Sequence, residues 1–293
     1  MALTNLVSIL DKARTNGYAV PAFDVSNMEM IHAVAEVAEE EKAPAVFMLL
    51  QTDIEGMRLD MLINLIMTVA KNITVPVCIH LDHATNMELI MRCIASGVTS
   101  VMYDGSVLPF HDNIARTKEV VAYAHQYGVS VEAELGHVAD AIGGLSERGE
   151  AEANGTHIEE TLTKPEDARL FVEETGVDCL AVSIGTAHGV YVSTPTLQFQ
   201  LLNQIAQAAS CPLVLHGGSG VPDKDIQTAI ALGITKINIF SEVLAAMNSS
   251  LKSKLNSIDN MSAWPTIVWK EARKTMREVI RNKIRVFGAN GRG

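Results

Sequence analysis

Eight short apolar runs, rich in β-branched residues, recur along the chain, with longer stretches of helical periodicity between them. The runs lie at residues 18–23, 45–50, 75–82, 100–105, 130–136, 179–185, 212–217 and 236–240. None shows the polar alternation of a half-exposed strand, as expected for parallel strands covered on both faces. Amphipathic stretches lie between them, for example at residues 28–41, 57–71, 87–96, 113–127 and 165–175, and those at 223–232 and 242–255 follow later runs. Strand–helix alternation repeated eight times predicts an α/β fold, a TIM (β/α)8 barrel, formed as a single domain over residues 1–293. An open, doubly wound sheet is the competing arrangement, but no Gly-rich dinucleotide turn follows the first run. A helical tail over residues 264–287 forms a C-terminal extension. It is strongly basic, with Lys270, Arg273, Lys274, Arg277, Arg281, Lys283 and Arg285. Such a run reads as a solvated face or as a surface for a neighbouring subunit.

Charge and cysteine usage narrow the class of function. The formal net charge of −11 argues against general binding to nucleic acid or to an anionic membrane. It leaves open an anionic substrate, because one pocket can oppose the overall field. Cys78, Cys93, Cys179 and Cys211 form no CxxC pair and read as reduced thiols of a cytoplasmic protein. The opening MALTNLVSILDKARTNG carries charge inside its apolar pattern rather than a signal-like core. No apolar stretch is long enough to span a bilayer.

In barrels of this kind the chemistry lies at the C-terminal strand ends. The third run ends in His80-Leu81-Asp82-His83, the fourth in Asp104-Gly105-Ser106, and the fifth carries Glu132 and Glu134. The sixth leads into Gly185-Thr186-Ala187-His188-Gly189, and the seventh ends in His216-Gly217-Gly218-Ser219-Gly220. The eighth supplies Asn238-Ile239-Phe240-Ser241. One strand-end histidine alone reads as a hydrogen-bonded core residue. His83, His188 and His216 at one rim suit a catalytic zinc, which takes three protein ligands and keeps an open position. That position lets the metal polarise a carbonyl oxygen. His80 reads as a supporting residue, and His32, His111, His125, His137 and His157 as surface or capping residues. Glu132 and Glu134 share one face and need a buried partner, either a metal or an internal salt bridge. Asp104 reads as the hydrogen-bond partner of a metal ligand or as a turn cap. The glycine-rich turn after the seventh run, with Asn238 and Ser241 nearby, sits where such barrels bind phosphate.

The motifs HLDHAT, SVMYDGS, VEAELG, IGTAHGVY, PLVLHGGSG and KINIFSE together resemble the class II ketose-bisphosphate aldolases, from Ala19 to the C-terminal RVFGANGRG. The resemblance implies a metal-dependent aldolase that joins dihydroxyacetone phosphate to an aldehyde, or reverses that reaction, through a zinc-stabilised enediolate. It implies one Zn2+ per subunit on His83, His188 and His216, with Glu134 and Asp104 at an alternate metal site. Asp82 is implied as the group handling the proton of the C4 hydroxyl. Gly189, Gly217, Gly218, Ser219, Asn238, Ile239, Phe240 and Ser241 correspond to the phosphate and substrate cradle, with a monovalent cation beside it. The resemblance also implies a homodimer or homotetramer, the usual assembly of the family.

Several positions depart from that pattern. Asp24 stands where the family has Asn, and Leu50 where Ser or Thr is frequent. Phe240 stands where fructose-bisphosphate enzymes place Asp. The long connection after Glu134 lacks the usual acidic motif, leaving Glu147, Glu150 and Glu152 as candidates for the base that moves the triose proton. Two other functions compete. A Schiff-base aldolase needs a desolvated lysine, but the sixth run has none and Lys236 opens the eighth run at the wrong end. A non-catalytic barrel subunit or scaffold of an aldolase complex would have lost ligands, yet His83, His188, His216 and Asp82 are all present.

Overall fold

A computed structural model describes residues 2–54, 56–138, 161–189, 191, 194–259 and 262–293. Eight parallel strands close into a barrel in sequence order. They are β1 (Val20–Asp24), β2 (Ala45–Leu50), β3 (Val77–Ala84) and β4 (Ser100–Tyr103), followed by β5 (Ser130–Leu135), β6 (Cys179–Val182), β7 (Leu213–Leu215) and β8 (Ile234–Ile239). Every residue of these strands is buried, which is why their sequences do not alternate. Strand ends differ from the sequence expectation by a few residues. β3 starts and finishes two residues later than expected, while β6 and β7 stop early, where the chain turns toward the rim.

The helices around the barrel are α1 (Leu6–Asn16), α2 (Met28–Glu41), α3 (Arg58–Ala70), α4 (Met87–Ser96) and α5 (Phe110–Ala124). Then come α6 (Pro165–Thr175), α7 (Phe199–Ala208), α8 (Asp223–Ala231), α9 (Ser241–Asn256) and α10 (Pro265–Val286). Helix starts are set locally. The Asn27 side chain accepts from Met30 N at 2.9 Å and the Asn86 side chain from Leu89 N at 2.9 Å, each satisfying one orphan donor of the first turn. Helix α1 covers the N-terminal mouth of the barrel. It buries Leu6, Ile9, Leu10 and Ala13, and its Val7 amide reaches Ser130 Oγ at the start of β5. The opposite mouth, where the strands end, is left for the site.

Four arginines of the basic stripe on α10 pair with an acidic stripe on α2 of the same chain, while Lys270 and Lys274 are exposed. Arg273 lies 3.3 Å from Glu36, Arg281 lies 2.6 Å from Glu40, Arg277 also pairs with Glu40, and Arg285 lies 2.8 Å from Glu41. The hydrogen bond from Arg285 is the main cause that holds the Glu41 carboxyl below its ordinary range, against the opposing effect of its burial. A depressed carboxylate stabilises the fold above the unfolded value of 4.5 and loses that contribution as pH falls through its folded value. Glu41→Gln is therefore expected to lower the urea midpoint at pH 7. The gap from the parent should close as pH drops below 4.5, measured by fluorescence-monitored unfolding.

Candidate active site

Asp82 and His83 are neighbours in sequence, so a regular strand would point them to opposite faces. Strand β3 does not stay regular. Leu81 is level with Val101 of β4 and Ala84 with Tyr103, which leaves one extra residue on β3. His83 takes φ +47°, in the left-handed region. A bulge of this kind re-aims a side chain, and the backbone strain it carries persists only where surrounding contacts hold it. Both side chains thereby reach the same rim, with His83 Nε2 4.0 Å from Asp82 Oδ2.

Three imidazoles converge there, and carboxylates orient two of them. His83 Nδ1 is 2.8 Å from Asp104 Oδ2, so its Nε2 faces inward, 3.0 Å from His216 Nδ1. His216 Nε2 is 2.9 Å from Glu132 Oε1. The His188 ring stands 4.9 Å from His83 and 5.6 Å from His216, centroid to centroid. One nitrogen from each ring lies within 4.8 Å of the others, and all three side chains are buried. Ligands at about 2.0–2.1 Å from a tetrahedral zinc stand about 3.3 Å apart, so the 3.0 Å between His83 and His216 suits a shared divalent ion. Asp104 and Glu134, with His83, form an overlapping group of the same size. Glu134 Oε1 accepts from Val138 N at 3.0 Å, and its Oε2 lies 3.8 Å from His216 Nδ1.

The electrostatics call for a cation at this point. Burial opposes charge on His83, yet Asp82, Asp104 and Glu134 lift its pKa to about 10. A proton on His83 thus meets the field of the carboxylates. A divalent ion held here would meet the same field and take the place of that proton, since an imidazole ligand must be neutral. Burial likewise opposes the Asp82 charge, but His83, His80, Lys236 and His216 hold its carboxyl well below the usual range. For His216, burial pushes the imidazole down while the hydrogen bond to Glu132 works against that push.

The interior below the rim is also polar. His80 Nδ1 bonds Ser100 Oγ at 2.8 Å, and its Nε2 lies 3.5 Å from Asp82 Oδ1. Glu132 pairs with Lys236, whose Nζ reaches both carboxylate oxygens at 2.9 and 3.1 Å. Burial would raise Glu132 and lower Lys236. Their mutual attraction wins on both sides, holding Glu132 at about 2 and raising Lys236. An ammonium held this way is no free amine for a Schiff base. The sequence reading missed Lys236 because it took the residue as the start of its strand. It is the third residue of β8 and points inward. His137, read from sequence as a surface or capping residue, places Nδ1 3.2 Å from Ser106 Oγ, which donates to Asp104 at 2.7 Å.

The glycine-rich turn meets the start of α9. Gly217 has φ +63°, and a Cβ there would come 2.3 Å from Ala187 O, so no other residue fits. A Cβ on Gly218 would come 2.4 Å from Ile237 Cγ2. Ser219 Oγ accepts from the backbone amides of Phe240 and Glu242 at 3.1 and 3.4 Å. Asn238 Nδ2 donates to Asp82 Oδ2 at 3.3 Å, which ties β8 to β3 across the barrel. Gly189 follows His188 with φ +99°. Ile239 is buried at the end of β8, Phe240 is half-buried, and Ser241 opens α9. Asp24 is buried at the end of β1, and Leu50 is level with Asp82. Glu147, Glu150 and Glu152 lie outside the described residues.

Comparison with known proteins now decides the family. The family described as fructose-bisphosphate aldolase class II matches residues 4–292. This chain belongs to the class II fructose-bisphosphate aldolase family. The YdjI aldolase from Escherichia coli K12 is similar over 99% of both chains, with 36% identity and a TM-score of 0.85. A putative fructose-1,6-biphosphate aldolase from Coccidioides immitis is 28% identical, with a TM-score of 0.85, over 99% of this chain and 98% of that one. A fructose-bisphosphate aldolase from Campylobacter jejuni is 22% identical, with a TM-score of 0.81, over 99% of this chain and 97% of its own, and shares the fold. As a member of this family the chain is a metal-dependent aldolase, a carbon–carbon lyase acting on a phosphorylated sugar. Among the described residues, no helix is long and apolar enough to cross a membrane.

The Asp104 contact yields a test. Partners that orient a metal-binding imidazole are worth about 10–100-fold in affinity. Asp104→Asn is expected to weaken divalent-metal binding by about that factor while leaving far-ultraviolet circular dichroism unchanged, measured by competition with a chromogenic chelator.

Proposed function

We propose that His83, His188 and His216 hold one Zn2+ per subunit and that Asp82 exchanges the proton of the C4 hydroxyl as a ketose phosphate is cleaved or formed. The observation carrying this reading is the convergence of three buried imidazoles on one point beside an ionised, buried aspartate. Asp104 and Glu134 serve the alternate metal site. Zinc held by His83, His188 and His216 would supply Lewis-acid polarisation of the substrate's carbonyl oxygen. Asp82 is held by Asn238 on one oxygen and faces His80 with the other, so its carboxylate is fixed in position and kept charged. In cleavage it takes the hydroxyl proton, and in condensation it returns that proton to the new alkoxide.

The phosphate is assigned to the turn after β7 and the start of α9. Gly189, Gly217 and Gly218 let backbone approach an anion closely. The first turn of α9 at Ser241 adds the positive end of a helix dipole. Ser219 Oγ already accepts two amides, and its own proton is left to donate to a phosphate oxygen. Asn238, Ile239 and Phe240 line the approach. A monovalent cation beside these loops, one barrel domain over residues 1–293, a homodimer or homotetramer and a cytoplasmic location complete the proposal.

Phe240 bears on the aldehyde half. A phenyl ring offers no hydrogen bond, and burying an unpaired substrate hydroxyl against it is costly. The preferred aldehyde is therefore not simply glyceraldehyde 3-phosphate. A panel of aldehydes assayed with dihydroxyacetone phosphate, with and without chelator, tests this. Preferred turnover of fructose or tagatose bisphosphate would defeat the substrate proposal, and full activity in chelator would defeat the metal. Asp82→Asn is expected to reduce kcat by about 10²–10⁴ with far less change in KM.

A further inference from the structure

Lys236 is fully buried in the barrel, and no step of the reaction uses it. In register it is level with Val214 of β7, two residues before His216, and with Val20 of β1. Its ammonium therefore lies one layer below the rim, with both oxygens of Glu132 within 3.1 Å. The Oε1 that takes one of those bonds also meets His216 Nε2 at 2.9 Å. This carboxylate can only accept, so His216 must carry its proton on Nε2, and the lone pair of Nδ1 is directed to the cluster. Cys179 Sγ, 3.7 Å from Glu132 Oε2, is a weak neighbour and cannot replace a charged donor.

We propose that Lys236 is a positioning residue for the metal centre, acting through Glu132 to fix the tautomer and aim of His216. This rests on His216 being a metal ligand. Buried ion pairs are seldom retained for stability, because an apolar pair of similar volume can do as well. Here the pair has another use. Lys236 supplies two of the hydrogen bonds that keep Glu132 turned toward the imidazole. Methionine at position 236 would keep the volume and lose both bonds. The carboxylate would then be free to turn, and His216 would no longer be held to one tautomer.

The test uses Lys236→Met, Glu132→Gln, the double variant and His216→Ala in the full chain. Zinc affinity is read by chelator competition, and the ligand field by visible d–d absorption of the Co2+-loaded protein. Lys236→Met is expected to weaken zinc binding about 10–100-fold and to shift the Co2+ bands. The double variant should lose no more affinity than Glu132→Gln alone, because both changes break one chain of contacts. A purely structural lysine would lower the unfolding midpoint of the metal-free protein yet leave zinc affinity and Co2+ bands unchanged, and that outcome overturns the proposal. Additive losses in the double variant overturn it as well. If Lys236→Met does not fold, Lys236→Gln retains an N–H donor and should show a smaller shift in the same direction; unchanged bands there count against the role. His216→Ala separates the two ideas. If it leaves the Co2+ spectrum unaltered, the ligand assignment itself has failed.

Discussion

An ionised carboxylate inside a barrel has to be matched by positive charge, and this one buries Asp82, Asp104, Glu132 and Glu134 around a single mouth. The chain balances them in two tiers. The lower tier is internal, where Lys236 is bonded to Glu132. The upper tier is left to the imidazole cluster, where His83 is driven to hold a proton at pH values far above its ordinary range. A site with that electrostatic demand is built to accept a cation. Asp82 is kept charged by the positive groups that face it, His83, His80, Lys236 and His216, against the effect of its burial.

The fold makes this arrangement affordable. Eight closed strands leave no sheet edge, and their backbone hydrogen bonds are satisfied whatever the side chains do. The strain of the His83 bulge and the desolvation of the carboxylates are confined to one end. Helix α1 closes the other end with leucine and isoleucine. The α2–α10 ion-pair network ties the C-terminal extension to the barrel, and Lys283 of α10 pairs with Glu242 in the first turn of α9 at 2.7 Å. Glu242 in turn accepts from Gly220 N at 2.5 Å. The outer helix therefore reaches, through two contacts, the turn assigned to phosphate.

Much of the architecture could be read before any coordinates. Eight apolar runs without alternation allow few folds other than a parallel barrel, and strand ends carrying histidine and carboxylate mark the active mouth. His83, His188 and His216 were identifiable because their runs end at the same side of any such barrel. The helix over Phe199–Ala208 went unnamed, since its sequence FQLLNQIAQA carries no charge to mark its outer face and no capping residue at its start. The basic stripe of α10 could not be assigned from sequence, because its partners on α2 lie more than 200 residues away.

From the sequence alone came the closed α/β barrel, the rim that bears the chemistry and the residue types gathered there, because periodicity and strand polarity are local properties of the chain. Only the tertiary structure decided how those residues face one another. A single extra residue on β3 turns His83 to the side of Asp82, and the pairing of Lys236 with Glu132 across the barrel places an ammonium beneath His216. Side-chain direction in a strand reverses with every residue, so errors too small to affect the fold are large enough to rearrange its site.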